Sequence, residues 1–421
     1  MATAHAPESG TDRAPVGVSG VVSPPRGIAL PELGLEAPAR VREALAALGR
    51  TEDVRLSPSG RRLVIACYVR DVVAVADVEL TATADGPAMA IENVELLSSP
   101  TIHEPHGVDF LDDETIVVAS RCGGLGVFRL PAPGAATGDW ELNPVAHAAS
   151  SDPLDGPGSV AVRRTGVNRH EILACVNWAH TIRRHEYEDG ALTAGDVAAH
   201  RWLDVPDGVA ISSDGRWVAI SNHFAHTVFV YEHASLGGAE AAPVGILRGV
   251  TYPHGLRFAG GDERLLVADA GAPHVHVFAA SERGWHGVAY PAATIAVMDD
   301  ETFLVGHRSP EEGGPKGLDL DPRTNMLLVT SEETPLSCFD AGAIVERPWE
   351  MRRDDDAFVL YELQALAAAA ERMAGQLAAA ADSTNRLAAE LAGLRATKTW
   401  RLTQPLRSAY AVARRLPGRR R

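Results

Sequence analysis

Six times along this chain a short strand-like opening is answered, one hairpin later, by an apolar run that ends in small residues. The openings are DVRLSPSG from Asp53, HGVDFLDD from His106, GSVAVRRTG from Gly158, DGVAISSDG from Asp207, HGLRFAGGD from His254 and KGLDLDPRT from Lys316. The answering runs are LVIAC, IVVAS, ILAC, WVAIS, LLVAD and LLVTS. Anchored on Val54, Val108, Val160, Val209, Leu256 and Leu318, the steps are 54, 52, 49, 47 and 62 residues. The turns between paired runs, such as PSG, SDG and GGD, carry the Asp/Gly chemistry of β-hairpins. A period near fifty built of strands and turns predicts an all-β protein, a six-bladed β-propeller with one four-stranded blade per repeat. In that architecture the six openings converge on a central pocket.

Third strands of alternating pattern, TVFVYEH from Thr227 and HVHVFAA from His274, set alternate side chains between stacked blades. The segment TIAVMDDETFLVGH from Thr294 reads either as the outer edge of blade five plus an insertion or as a degenerate seventh blade. Residues 1–25 are Ala, Pro, Gly and Ser without periodicity and read as disordered, leaving 26–350 for the propeller. GIALPEL from Gly27 is placed to complete the last blade, and EAPARVREALAALGR from Glu36 reads as a helix. Between 356 and 396, apolar residues from Val359 to Leu394 alternate steps of four and three, which predicts a coiled-coil helix and a homo-oligomer.

The formal charge of −16 is unevenly spread, because residues 391–421 carry nine Lys or Arg and no acid. The acidic body excludes nucleic acid as the main partner. The tail 397–421 reads instead as a basic amphipathic segment for an anionic membrane surface, with Trp400, Leu402, Leu406 and Tyr410 beside Arg401, Arg407, Arg414 and Arg415. Without an apolar leader or an 18-residue apolar run, the expected location is cytoplasmic and peripheral to the membrane. Cys67, Cys122, Cys175 and Cys338 sit at no metal-ligand spacing and read as buried free thiols.

The residues at each opening give the expected pocket lining: His106, Ser159, Asp207, His254 and Lys316, with Glu104 one step out. Ends of the second strands add Asn177, Asn222, His223, Asp269, Glu332 and Glu333, and the next loops add His180, His226 and His274. Carboxylates, imidazoles and amide oxygens in one ring suit a divalent cation. Calcium or magnesium fits oxygen ligands, and zinc or manganese fits histidine; Asp207 is the candidate ligand. Lys316, the only lysine of the body, suits an anionic ligand group. No GxSxG, HExxH or phosphate-loop sequence is present.

With openings such as VPDGVAISSDGRWVAISN from Val205 and YPHGLRFAGGDERLLVADA from Tyr252, residues 50–345 resemble six-bladed propellers of the NHL and gluconolactonase-like superfamily. That superfamily includes lactonases, lyases and binding modules. The resemblance implies a calcium held by a first-blade Glu, a mid-ring Asn and the Asp of a PDG opening, here Asp207. TEDVRLSPSG lacks the EGP of that family, and GPGSVAV has no Asn in the opening slot. TKTWRLTQPLR from Thr397 resembles the C-terminal ends of bacterial glycosyltransferases and methyltransferases that build surface polysaccharides. Together these imply a propeller on an oligomerising stalk that binds a carbohydrate or a glycan-assembly enzyme. The alternative is a metal-dependent lactonase or hydrolase acting on a sugar lactone.

Overall fold

The computed structural model describes residues 27–353, apart from 85, 135–137 and 150–155, together with scattered positions between 374 and 393. Six sheets, each with antiparallel inner strands, follow one another along the chain. Their innermost strands are Thr51–Leu56, Pro105–Asp112, Pro157–Gly166, Pro206–Ile211, Pro253–Ala259 and Leu318–Leu320. Each packs on the next, and Leu318–Leu320 packs back on Thr51–Leu56, so the ring closes.

Strand alternation builds the core between blades. In the second strand of blade one, Leu63, Ile65 and Cys67 pack with Met326, Leu328 and Cys338 of blade six. Val64 and Ala66, on the opposite face, pack with Val108, Ile116 and Val118 of blade two. A strand buried on both faces in this way reads as a continuous apolar run, which is why LVIAC and its counterparts look alike.

The long fifth step is resolved by its contents. Ala293–Ala296 pairs antiparallel with His274–Ala279 as the fourth strand of blade five. The helix Asp300–Gly306 follows, its first turn capped by Asp299, whose carboxylate accepts from Thr302 N at 2.8 Å. The insertion is therefore helical, and the described residues form six blades.

Blade six has only three strands, Leu318–Leu320, Met326–Val329 and Ser337–Asp340. GIALPEL does not simply fill the vacant edge. Ile28–Ala29 runs parallel to the outer strand of blade five. Glu32 then bridges Phe339, and Leu33 N donates to Cys338 O at 2.8 Å, both on blade six. Leu35–Glu36 joins the outer strand of blade one. One short segment thus straps three blades. The helix Ala39–Ala46 follows where the sequence places it, burying Val41 and Leu45.

Cys67, Cys175 and Cys338 are buried, but Cys122 is exposed, because it sits in the turn after Ser120 and not within the sheet. In the separate unit Leu363–Arg421, the described positions between Ala374 and Gly393 are helical, with Leu377 and Leu387 exposed. Thr384 of the seam is also described and exposed, while the other seam positions and the whole segment from Trp400 to Arg415 lie outside the described residues. No described helix is long and apolar enough to cross a membrane.

Candidate functional site

Two residues ahead of each strand anchor lies a position whose side chain turns into the channel. Around the ring these positions are Glu52, His106, Gly158, Asp207, His254 and Lys316. Five carry a functional side chain, and all five are at most 4% exposed. In four of these blades the next residue is glycine, because the backbone of the neighbouring blade comes too close for a Cβ. A Cβ on Gly107 would stand 2.5 Å from Gly158 O, and one on Gly255 would stand 2.5 Å from Lys316 O. The HG, DG, HG and KG pairs are therefore one geometric rule, in which glycine permits contact and its predecessor faces the pocket.

Glu52 escapes a reading that begins each opening at the strand itself, since its blade carries Asp53 where four of the others carry glycine. Aligning the six anchors reveals it. The same alignment moves the blade-three slot from Ser159 to Gly158, which has no side chain. Asn177, from the end of the second strand, occupies that gap, and its Nδ2 donates to Asp207 Oδ1 at 2.6 Å. A first-blade Glu and a mid-ring Asn thus both reach the centre, by positions that the expected sequence pattern does not mark.

Glu52 is fully buried and central. Its Oε2 lies 3.6 Å from His106 Nε2, 3.4 Å from His254 Nε2 and 3.4 Å from Lys316 Nζ, while Oε1 meets Arg50. Asp207 is the second anion. It stands 3.6 Å from His106 Nε2, 3.2 Å from His254 Nε2, 3.7 Å from His223 Nδ1 and 3.8 Å from an Arg121 guanidinium nitrogen. Burial favours the neutral form of both carboxyls, but their cationic and imidazole neighbours outweigh it. Lys316 and His106 hold Glu52 well below the usual range, and His254, His106, His223 and Arg121 do the same for Asp207. Burial, then Arg121, pushes His106 well below an ordinary imidazole, and burial brings His223 down to about 4. His106 and His223 are thus kept neutral beside ionised carboxylates.

Above this floor opens a cavity of about 410 Å³. Its lining includes Arg50, Tyr68, Glu104, His106, Arg121, Asn177, Asp207, His223, His254 and Lys316. Glu52 Oε2, His106 Nδ1, Asn177 Oδ1 and Arg121 Nη1 are buried without a hydrogen bond. Buried polar atoms without a protein partner beside an open pocket are groups that water or a ligand can satisfy.

Other expected residues go elsewhere. Asn222 is buried behind the rim, accepting from Asp204 N and donating to Trp202 O. Asp269 is buried within blade five, accepting from Thr251 and Tyr252 and facing His276 Nε2 at 3.2 Å. Glu332 and Glu333 lie outside the cavity lining, as do His180, His226 and His274. His180 Nδ1 instead accepts from Val205 N at 3.0 Å.

Glu52, His106 and His254 bring one ligand atom each to within 4.8 Å of one another. Ligands about 2.1 Å from a tetrahedral zinc stand about 3.4 Å apart, close to the separations of Glu52 Oε2 from both imidazoles. The donor set, with two nitrogens and one or two carboxylates, suits zinc or manganese better than calcium.

No family model and no curated protein matches the sequence. Among solved structures, the PQQ domain of pyranose dehydrogenase from Coprinopsis cinerea aligns with a TM-score of 0.50 at 14% identity, covering 74% of this chain and 99% of that one. A calcium-binding protein, regucalcin, from Agrobacterium tumefaciens gives 0.46 at 13%, over 76% and 100%. A candidate gluconolactonase gives 0.46 at 14%, over 79% and 97%. At such identities the likeness bears on fold alone.

Proposed function

We propose that this protein is a metal-dependent hydrolase of the lactonase type, acting on an ester or lactone that carries an anionic group. The observation that carries the reading is the convergence of Glu52, His106 and His254 on one point at the floor of an open pocket. These three residues would hold a divalent cation, with Asp207 beside them. When bound, the cation supplies a Lewis acid that polarises a carbonyl and acidifies water. The chain's own groups divide the remaining work. Asp207, kept ionised, is placed to accept a proton from a water in the pocket at Oδ2, and Asn177 orients it through Oδ1. Lys316 and Arg121 offer cationic donors to a substrate carboxylate or a developing oxyanion.

The test is elemental analysis of the purified full chain, followed by hydrolysis assays on aldonolactones and aryl esters. A stoichiometric metal lost in Glu52→Gln, together with metal-dependent turnover, supports the reading. A chain that neither retains nor responds to zinc, manganese or calcium removes it.

A second reading is favoured by one specific contact. Lys316 Nζ already lies 3.4 Å from the same Glu52 oxygen, so the floor is charge-balanced by protein groups alone. On that reading the pocket binds an anionic carbohydrate without turnover, and the C-terminal stalk and basic tail tether it to surface-polysaccharide assembly at a membrane. Metal content separates the two.

A further inference from the structure

Outside its charged floor the pocket opens onto aromatic rings. Trp178 and Phe224 line the mouth and are 54% and 41% exposed. Trp202, on the segment that leads into Asp207, lies outside the cavity lining with the Arg201 guanidinium 4.7 Å from its ring centre. Large aromatics left in water together mark a surface used for binding. These rings are held in place. The backbone of Gly156, at φ 57°, lies against the Trp178 indole, where a Cβ would meet Cδ1 at 2.6 Å. The Arg121 guanidinium lies 5.8 Å from the centre of the same indole. Phe224 leans on His223, which faces Asp207. Trp202 holds φ 74° with its carbonyl pinned by Asn222 Nδ2 at 2.9 Å. Val205 holds φ 53°, an outlier for a β-branched residue, with its N–H pinned by His180. Backbone strain over-determined in this way collects at ligand-holding segments. Asn222 and His180, which line no part of the cavity, acquire a role here as clamps of the rim.

We propose that this aromatic shelf is a second subsite that stacks the sugar ring adjoining the one in the pocket, so that the ligand is an acidic oligosaccharide and not a single sugar. The inference rests on the anion-accepting pocket proposed above. Sugar rings pair an apolar C–H face with wet hydroxyl edges, and rigid exposed aromatics match that face at little entropic cost. Lys316, Arg50 and Arg121 in the pocket suit the carboxylate of a uronic acid. Glu104 lines the same pocket and offers a carboxylate that accepts from sugar hydroxyls. The buried, unpartnered Asn177 Oδ1 and Arg121 Nη1 add hydrogen-bonding groups between floor and shelf.

The experiment is calorimetric titration of the full chain, treated with EDTA and again with zinc, using galacturonic acid and its dimer and tetramer. Neutral cellotetraose and a tetraglutamate peptide serve as comparison ligands. Stacking of one further ring should make the tetramer bind about tenfold more tightly than the monomer. That ratio should fall to within threefold in Trp178→Ala and in Phe224→Ala, and recover in Trp178→Phe. Equal affinity for monomer and tetramer, or an unchanged ratio in both alanine variants, overturns the proposal. So does tighter binding of cellotetraose or the peptide than of tetragalacturonate. Because the ratio is read with and without zinc, its loss is distinguishable from failure of the metal-dependent reading.

Discussion

Replacing Lys316 by methionine tests whether the floor is a balanced charge cluster. Glu52 is fully buried and Lys316 nearly so, with Nζ 3.4 Å from Oε2. At an effective dielectric of about 20, charges at that separation attract by about 5 kcal/mol. Relief of the lysine's own desolvation offsets part of this, and Arg50 still holds Oε1. We expect metal-free Lys316→Met to lose about 3 kcal/mol, the scale for breaking one side of a buried pair. Lys316→Met combined with Glu52→Gln should recover about 2 kcal/mol of it, since no carboxylate is then stranded. The pH dependence has a defined sign. In the wild type the depressed Glu52 contributes stability above about pH 4.3 that is lost as pH falls. The variant lacks the lysine's share of that contribution while His106, His254 and Arg50 keep theirs, so the gap between the two should narrow below that value. Urea unfolding at pH 7 and pH 4, with EDTA present, reads both effects. Loss below 0.5 kcal/mol (roughly the noise of the method), or loss unaltered by Glu52→Gln, would refute the reasoning.

Further outcomes follow from other contacts. Gly107→Ala drives a Cβ into the backbone of blade three and should cost at least about 3 kcal/mol, whereas Gly34→Ala, with open space around it, should be near neutral in the same denaturation assay. Glu171 is lowered to about 2, its His233 and Arg163 partners outweighing burial, so Glu171→Gln should cost about 1–2 kcal/mol at pH 7 after allowance for the one-third exposure of Arg163. That difference should shrink as pH is lowered from 4.5 towards 2 in thermal melts. Of the four cysteines, Cys122 alone should alkylate in the native protein, and slowly at pH 7 because burial and Glu104 raise its thiol; mass spectrometry counting more than one adduct would contradict the packing. Truncation at Arg395 should abolish salt-sensitive co-sedimentation with anionic vesicles, and equal binding by both lengths would dismiss the tail as a membrane anchor.

The ring was legible because each blade must repeat the same compromise, apolar on both faces with a tight hairpin, and four of the six add a glycine where neighbours touch. His106, Asp207, His254 and Lys316 were found by that repetition. Glu52 was hidden because its blade breaks the glycine rule, with Asp53 instead accepting from Val108 N at 3.2 Å. Asn222 and Asp269 looked like pocket residues by position, yet a strand end can turn its side chain either to the channel or back into the blade. Sequence periodicity does not encode that choice. The sequence left Asp300–Gly306 open between an insertion and part of a seventh blade because a short apolar run fits either period, and only the Asp299 cap with two acids in the first turn favours helix.

The strap formed by Ile28–Ala29, Glu32–Leu33 and Leu35–Glu36 sets an order of events during synthesis. Its partners on blade six, Cys338 and Phe339, are translated some three hundred residues after it. Leu35–Glu36 can pair with blade one as soon as that blade is made, but Ile28–Ala29 and Glu32–Leu33 have no partners until blades five and six follow. Until then blade six has no cover on its outer edge, and the half-built ring presents an open strand to any other nascent chain. Final closure is thus a late event that joins the beginning of the domain to its end, and it converts a linear stack of sheets into a circle whose seam edge is covered at Cys338 and Phe339.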